Sequence, residues 1–308
     1  MAVTVANMFA RVQRYYQKYR VSIWTLIIFL CIGIIVCAIR DWRYLCLFGG
    51  IGITEFIARS IVIRWPKTRQ VVRRTIQALI GGMLLIMLGL IYGVNFQFEQ
   101  IFFDMQAGIV TGALIQLIIA RLIIPFVFGN AFCSRACWDG AIFEIINPRK
   151  ACKKPVQRKE WLAWLYMFLL IALTVLVSWQ FTNPADPTYN NENILLRKNW
   201  IVAQNLFIIT VGFALSFVGG SRFYCRMLCP FMTVSSLLYR LSWFKITPVE
   251  ADRCTQCGKC NQVCPMLSDV RDAVKQRTKV QNAQCILCER CVSACPNNVL
   301  AVSHQKAK

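Results

Sequence analysis

The chain has 308 residues, 57% of hydrophobic types and only 16% charged, whereas an ordinary soluble domain is about a quarter charged; a freely soluble enzyme is excluded. Lys and Arg number 35 against 14 Asp and Glu, a formal net charge of +21, and that excess belongs on segments outside lipid. One histidine, His304, stands against 16 cysteines, which excludes a haem core held by histidine pairs and argues against a zincin site or a Ser-His-Asp triad.

A basic amphipathic segment (Arg11, Arg14, Lys18, Arg20) leads into the first of six apolar stretches, at about 21–39, 44–63, 76–94, 109–128, 161–179 and 201–219. Each approaches the roughly 20 residues that a bilayer helix needs. The first is too long, and lacks the small-residue cleavage site, to read as a signal peptide. The second is the weakest, because it carries Glu55 and Arg59; charges are costly in a span, and four residues apart they are placed to form a helix ion pair. The loop at 64–75 holds Arg64, Lys67, Arg69, Arg73 and Arg74, and the loop at 129–160 holds Arg135, Arg149, Lys150, Lys153, Lys154, Arg158 and Lys159. The alternate loops carry only Glu99 and Asp104, or balance Asp186 and Glu192 against Arg197 and Lys198. The excess of basic residues on one set of loops predicts six spans with both termini in the cytoplasm.

After the fourth span comes Cys133-x3-Cys137, and after the sixth Cys225-x3-Cys229-Pro230, offset by 92 residues. Each pair follows a helical hairpin, with Gly and an aromatic before it and Arg between the thiols. This predicts a duplicated, parallel two-helix unit whose axis runs along the membrane normal. On a helix, positions four apart share a face, so each pair could present two ligands together. Four thiols meeting there would suit an iron–sulfur cluster or another metal; a structural zinc, a redox dithiol or plain helix packing are the alternatives. Cys152, among Lys150, Lys153 and Lys154, and Cys31, Cys37 and Cys46, in or beside the first two spans, are read as bystanders.

Beyond Pro248 the apolar runs stop. Cys254-x2-Cys257-x2-Cys260-x3-Cys264-Pro265 is followed by Cys285-x2-Cys288-x2-Cys291-x3-Cys295-Pro296. This is the bacterial ferredoxin run, twice, in which three thiolates of one run and the fourth of the other hold each [4Fe–4S] cube. One cluster is therefore expected on Cys254, Cys257, Cys260 and Cys295, the other on Cys285, Cys288, Cys291 and Cys264. Zinc sites use paired C-x2-C or Cys with His, and disulfides do not suit the cytoplasmic side. Gly258 is expected to let the backbone wrap its cluster.

The expected fold is an all-α integral membrane protein with six transmembrane helices and an internal parallel two-helix repeat, joined to a small α+β domain of the bacterial 2[4Fe–4S] ferredoxin type. The units are 1–75 (basic segment and first two spans), 76–246 (duplicated hairpins with the two C-x3-C pairs) and 247–308 (ferredoxin-like). Over roughly 76–308, this combination resembles the NapH/NosR/CcoG-type membrane iron–sulfur proteins. Cys225, Cys229 and Pro230 match that family's pair directly, whereas Trp138 stands where the first pair would have proline. The resemblance implies electron transfer between the quinone pool and a partner redox protein, within a multisubunit respiratory complex of a bacterial inner membrane. It also implies a redox subunit rather than a complete enzyme. The alternatives are a maturation factor that reduces a metal such as copper for an oxidase, and a membrane anchor for a ferredoxin module. A quinone site needs a partly apolar cleft with a few polar groups, for which Glu55, Arg59, Gln116 and Arg121 are candidates. The basic face suits anionic lipid or an acidic partner; nucleic acid is not expected, since the basic residues are spread over membrane loops.

Overall fold

The structure, a computed structural model, describes residues 2–39, 41–91, 101–102, 105, 124–146, 159–181 and 189–303. Helix α1 (Ala2–Ile39) carries the basic segment and the first apolar stretch without a break. It lies along α2 (Arg43–Arg64). A 3-10 turn at Pro66–Thr68 starts α3 (Arg69–Leu84), which passes into a π-helical stretch, Leu85–Ile91. Helical structure thus begins inside the basic segment 64–75, because Pro66 occupies the first turn, where a missing N–H costs nothing. Then come α4 (Ile124–Phe128), α5 (Ala131–Arg135), α6 (Trp138–Ile146), α7 (Glu160–Phe181), α8 (Tyr189–Gly219), α9 (Phe223–Met227) and α10 (Pro230–Tyr239).

Among the described residues, five segments are long and apolar enough to cross a membrane: Ser22–Ile39, Arg43–Arg64, Pro66–Ile91, Glu160–Trp179 and Asn199–Gly219. The fourth apolar stretch, 109–128, lies outside the described residues apart from its last turn, α4. Trp24, Trp42, Trp65, Trp161 and Trp179 are each more than half exposed, as befits amphipathic rings placed toward span ends. Leu47, Ile51 and Ala58 of α2 pack with Ile76, Ile80 and Leu84 of α3 and with Trp138, which opens α6. Phe29 of α1 packs against the same cluster, as do Phe132 and Ala136, so the first two helices share a core with neighbours of Cys133 and Cys137.

The two C-x3-C segments share one backbone. Ala136 N–H and Cys137 N–H both donate to Phe132 O, at 2.9 and 3.1 Å; 92 residues on, Leu228 and Cys229 N–H both donate to Tyr224 O at the same two distances. Ala141 N–H donates to Cys137 O as Thr233 N–H donates to Cys229 O. Trp138 therefore takes the place of Pro230: each opens the helix that follows its pair. At that first helical position the missing proline N–H has no intrahelical partner to lose.

The C-terminal unit closes on a two-stranded antiparallel sheet, β1 (Lys245–Pro248) with β2 (Leu300–Ser303), in the register Lys245↔Ser303 to Pro248↔Leu300. Short helices α11 (Lys259–Gln262), α12 (Val270–Lys275) and α13 (Arg290–Ala294) complete it. Its apolar centre is Ile246, Val270, Ala273, Val274, Val280, Leu287, Val299 and Leu300, and thiols of both ferredoxin runs pack against it. The runs repeat each other at 31 residues, down to the left-handed backbone: Gln256 and Leu287, Gly258 and Glu289, Leu267 and Asn298 all have φ between +49° and +73°. Gly258 takes that conformation freely. Glu289 takes it at a cost of about 1–2 kcal/mol.

Candidate functional site

The thiols gather in three groups of four. Cys254, Cys257, Cys260 and Cys295 line one cavity with about 390 Å³ of non-atom space, together with Gly258, Lys259, Arg271 and Pro296. Gly258 and its left-handed turn bring the Lys259 N–H toward Cys257, which holds that exposed thiol below its ordinary pKa. Cys257 is the exposed member of this group.

Cys264, Cys285, Cys288 and Cys291 form the second group, deeper in the domain. Cys264, Cys288 and Cys291 are buried. Burial pushes the Cys285 thiol up to about 12, and neighbouring Cys264 and Cys288 add to the rise. Cys291 rises for the same reason, with Cys288, Cys285 and Cys264 all beside it. The Ser268 N–H donates to Cys264 Sγ at 3.3 Å, and the Tyr239 hydroxyl lies against Cys285. Thiols crowded this way cannot all ionise unless a cation holds them, which is what a metal site requires of its ligands.

Cys133, Cys137, Cys225 and Cys229 line a third cavity, with about 520 Å³ of non-atom space, walled by Trp138, Tyr224, Met232 and Arg222. The expectation that each pair lies on one helical face is corrected here. Helices α5 and α9 end at Arg135 and Met227, and the second cysteine of each pair lies past the end. The reason is the doubled acceptor: Cys137 N–H bonds back five residues to Phe132 O instead of four to Cys133 O, so the turn widens and the chain leaves the helix. The four thiols still face one space. Burial pushes the Cys225 thiol up to about 11, against the opposing pull of Arg222, whose Nη1 lies 3.9 Å from Cys225 Sγ.

Among the described residues, no three Cys, His, Asp or Glu side chains converge on the position of a single metal ion. A tetrahedral zinc would need its sulfurs about 4 Å apart, given Zn–S of about 2.3 Å. A [4Fe–4S] cube takes one thiolate at each of four separate irons, and so fits donors ranged around a cavity. Cys254, Cys257, Cys260 and Cys295, and Cys133, Cys137, Cys225 and Cys229, are ranged around cavities in that way.

The third group abuts the second. Cys133, Met232, Cys264, Met266, Ile286 and Cys288 form one buried cluster, with Cys229 packed against it. Polar contacts lock the face. Asn130 Nδ2 donates to Ala283 O at 2.9 Å, Arg226 Nη1 to Pro265 O at 3.3 Å, and Gln70 Nε2 to Cys288 O at 3.2 Å. Glu289, the residue in the left-handed turn, pairs with Arg69 at 3.1 Å and Arg135 at 3.2 Å. Arg135 also reaches Glu55 at 3.1 Å. Glu55 is thus tied across to the first cysteine pair, a role its spacing from Arg59 did not suggest. Gln116, Arg121, Cys152 and His304 lie outside the described residues. Cys31, Cys37 and Cys46 line neither of the two cavities.

One constellation, as a whole, has no local signature in the sequence. Glu144 is 1% exposed. Its Oε1 accepts from Arg222 Nε at 2.9 Å and Nη2 at 2.7 Å, and its Oε2 accepts from Arg73 at 2.5 Å and Arg290 at 3.0 Å. Gln77 Nε2 donates to Cys133 O and Cys137 O, both at 3.1 Å, while its Oε1 accepts from Arg73 and Arg222. Burial alone would raise the Glu144 carboxyl, but Arg222, Arg73 and Arg290 hold it far below the usual carboxylate range. The available signal was a glutamate in the otherwise apolar run Ala141–Ile146, an expensive placement without partners.

Comparison with known proteins follows the same division. A family model described as a 4Fe-4S dicluster domain matches residues 248–297. A second, described as a 4Fe-4S binding domain, matches twice, at 110–155 and 204–247, so each match contains one C-x3-C pair. The chain is 26% identical over 190 residues to an uncharacterized protein of Methanocaldococcus jannaschii, covering 60% of this chain and 69% of that one. It is 26% identical over 216 residues to the putative electron transport protein YccM of Escherichia coli, covering 65% of this chain and 58% of that one. It is also 26% identical over 216 residues to the methylamine utilization ferredoxin-type protein MauN of Methylorubrum extorquens, covering 64% and 71% respectively. No solved structure gives a significant match. The chain thus carries 4Fe–4S-type sequence in both its C-terminal unit and its two cysteine-pair segments, beside helices able to span a membrane.

Proposed function

We propose that the chain is a membrane-embedded iron–sulfur electron-transfer protein of the NapH/NosR/CcoG kind, with three [4Fe–4S] clusters in series. Two are held by the ferredoxin groups, Cys254, Cys257, Cys260 and Cys295, and Cys264, Cys285, Cys288 and Cys291. The third is held by Cys133, Cys137, Cys225 and Cys229. Each cluster supplies one-electron transfer at a potential set by its surroundings. The observation that carries this reading is the contiguity of the groups: Cys133 and Cys229 pack with Cys264 and Cys288, and Cys291 shares a core with Cys254, Cys260 and Cys295. The names of relatives such as YccM and MauN support an electron-transport role, and the twofold match to one family model supports the duplicated unit.

Burial orders the series. The pair group is walled by aromatic and apolar side chains next to the helices, and the second ferredoxin group is buried. Only the first ferredoxin group has an exposed thiol, Cys257, flanked by the exposed cations Lys259 and Arg271. Electrons then pass between quinone in a bacterial inner membrane and a partner redox protein that meets the Cys257 edge on the cytoplasmic side. The basic residues Arg69, Arg73, Arg135 and Arg226, which all reach the ferredoxin unit or its neighbours, support that orientation.

The test is iron and acid-labile sulfide on protein purified without oxygen, followed by quinol addition. About twelve of each per chain, with quinol-dependent cluster reduction, is expected for three cubes. About eight would remove the third cluster and with it the route from the membrane.

A further inference from the structure

The buried network around Glu144 carries more charge than it needs for itself. Arg73, Arg222 and Arg290, with Arg74 further off at 3.7 Å, face a single carboxylate, and Arg222 is fully buried with Arg73 nearly so. Uncompensated buried cations are expensive, so this arrangement is stable only beside further negative charge. The cysteines that would carry such charge as cluster ligands lie on both sides. Arg222 faces Cys225 and Cys137, while Arg73 and Arg290 face Cys288. The carboxylate divides along the same line, with Oε1 turned to Arg222 and Oε2 to Arg73 and Arg290.

We propose that Glu144 is a shared electrostatic hub that sets the reduction potentials of two adjoining clusters, the one at the cysteine pairs and the one on Cys264, Cys285, Cys288 and Cys291. This rests on the reading that the pair group holds a cluster. A four-thiolate cube is a dianion when oxidised and a trianion after it gains one electron, so nearby positive charge favours the reduced form. Glu144 offsets part of that charge on each side. It is a positioning and charge-setting residue, because it touches the arginines and not the thiols.

The experiment is anaerobic potentiometric titration followed by electron paramagnetic resonance, on the full chain and on Glu144→Gln, Arg222→Lys, Arg222→Gln and Arg290→Gln. Cys225→Ser identifies the pair-site signal by its loss. Glu144→Gln should raise both adjoining potentials by about a tenfold change in the reduction equilibrium, roughly 59 mV for one electron. The potential of the cluster on Cys254, Cys257, Cys260 and Cys295 should not move. Arg222→Gln should lower the pair-site potential alone, with Arg222→Lys nearer wild type. Arg290→Gln should lower only the adjoining ferredoxin potential. Unchanged potentials in Glu144→Gln, or a shift of all three clusters together, would overturn the hub. If Glu144→Gln fails to retain iron, Arg290→Gln, less deeply buried than Arg73 and Arg222, decides by whether it moves one potential or none. About eight irons in the unaltered protein would overturn the three-cluster reading and the shared hub with it, whereas about twelve irons with unmoved potentials would overturn the hub alone.

Discussion

Gly140 in α6 offers a sharp test of the packing beneath the cysteine pairs. A methyl group added there would overlap Arg222 Nη1 and fall 2.8 Å from Arg222 Cζ and 2.9 Å from Gln77 Nε2. A flexible arginine end would ordinarily swing aside at little cost. This one has no exposed surface and makes two hydrogen bonds to Glu144, so it has nowhere to go without leaving its carboxylate. Breaking a buried pair costs about 3–5 kcal/mol, whereas Gly→Ala in a helix gains at most about 1 kcal/mol in propensity. The loss wins by about 2–4 kcal/mol, which for a chain of this size lowers Tm by very roughly 5–10 °C. The assay is thermal unfolding of Gly140→Ala in detergent without oxygen, read beside its iron content. A Tm at or above that of the unaltered protein would refute the claim that Arg222 is pinned.

Three further outcomes follow from the same geometry. Cys225→Ser should lower iron and sulfide from about twelve to about eight per chain, since one cube accounts for four of each, while Cys31→Ser should change neither. Glu289→Gly should relieve about 1–2 kcal/mol of left-handed strain yet remove the pairs to Arg69 and Arg135. Hydrogen exchange should then report faster opening at Gln70 and Cys288 with the ferredoxin centre around Val274 still protected. Asp269 caps α12, accepting from the Asp272 N–H at 3.1 Å and from Asn261 Nδ2 at 2.8 Å. Its removal by Asp269→Ala should cost about 1 kcal/mol in denaturant unfolding. The Asn261 bond, then the Asp272 N–H, hold its carboxyl below the ordinary value. Its contribution is therefore complete above about pH 4 and fades as pH falls through the depressed folded value. The alanine variant should lack that acid-side loss.

What the sequence makes legible is set by how local the signal is. The ferredoxin spacing fixes three thiols within seven residues, and the chain closes on them through turns whose left-handed residues recur at the same offsets. The apolar runs of α1, α2, α7 and α8 are equally local. The repeat at 92 residues is also readable, including the equivalence of Trp138 with Pro230. The shape of each pair was not, because whether Cys137 stays on its helix depends on one N–H choosing Phe132 O over Cys133 O. Glu144 and Arg222 stand 78 residues apart, and nothing near either names the other. Arg222 even occupies the position that Asn130 holds in the first copy, at the start of α9 and α5 respectively. Equivalent positions of the two pair segments thus serve a carbonyl contact in one and a charge in the other.

Several contacts that seat the ferredoxin unit end on main-chain oxygens, those of Ala283, Cys285, Cys288 and Pro265. A carbonyl is present whatever side chain stands above it. The seating therefore places little demand on the identity of residues such as Ala283, and substitutions accumulating there leave it intact. At these points only the reaching side chains, Gln70, Asn130 and Arg226, and the backbone path of the ligand loops matter, whereas the ion pairs of Glu289 with Arg69 and Arg135 and of Arg290 with Glu144 need a particular side chain on both sides. The seat thus tolerates divergence at positions such as Ala283 that lend it only a carbonyl, and not at Glu289 and Arg290.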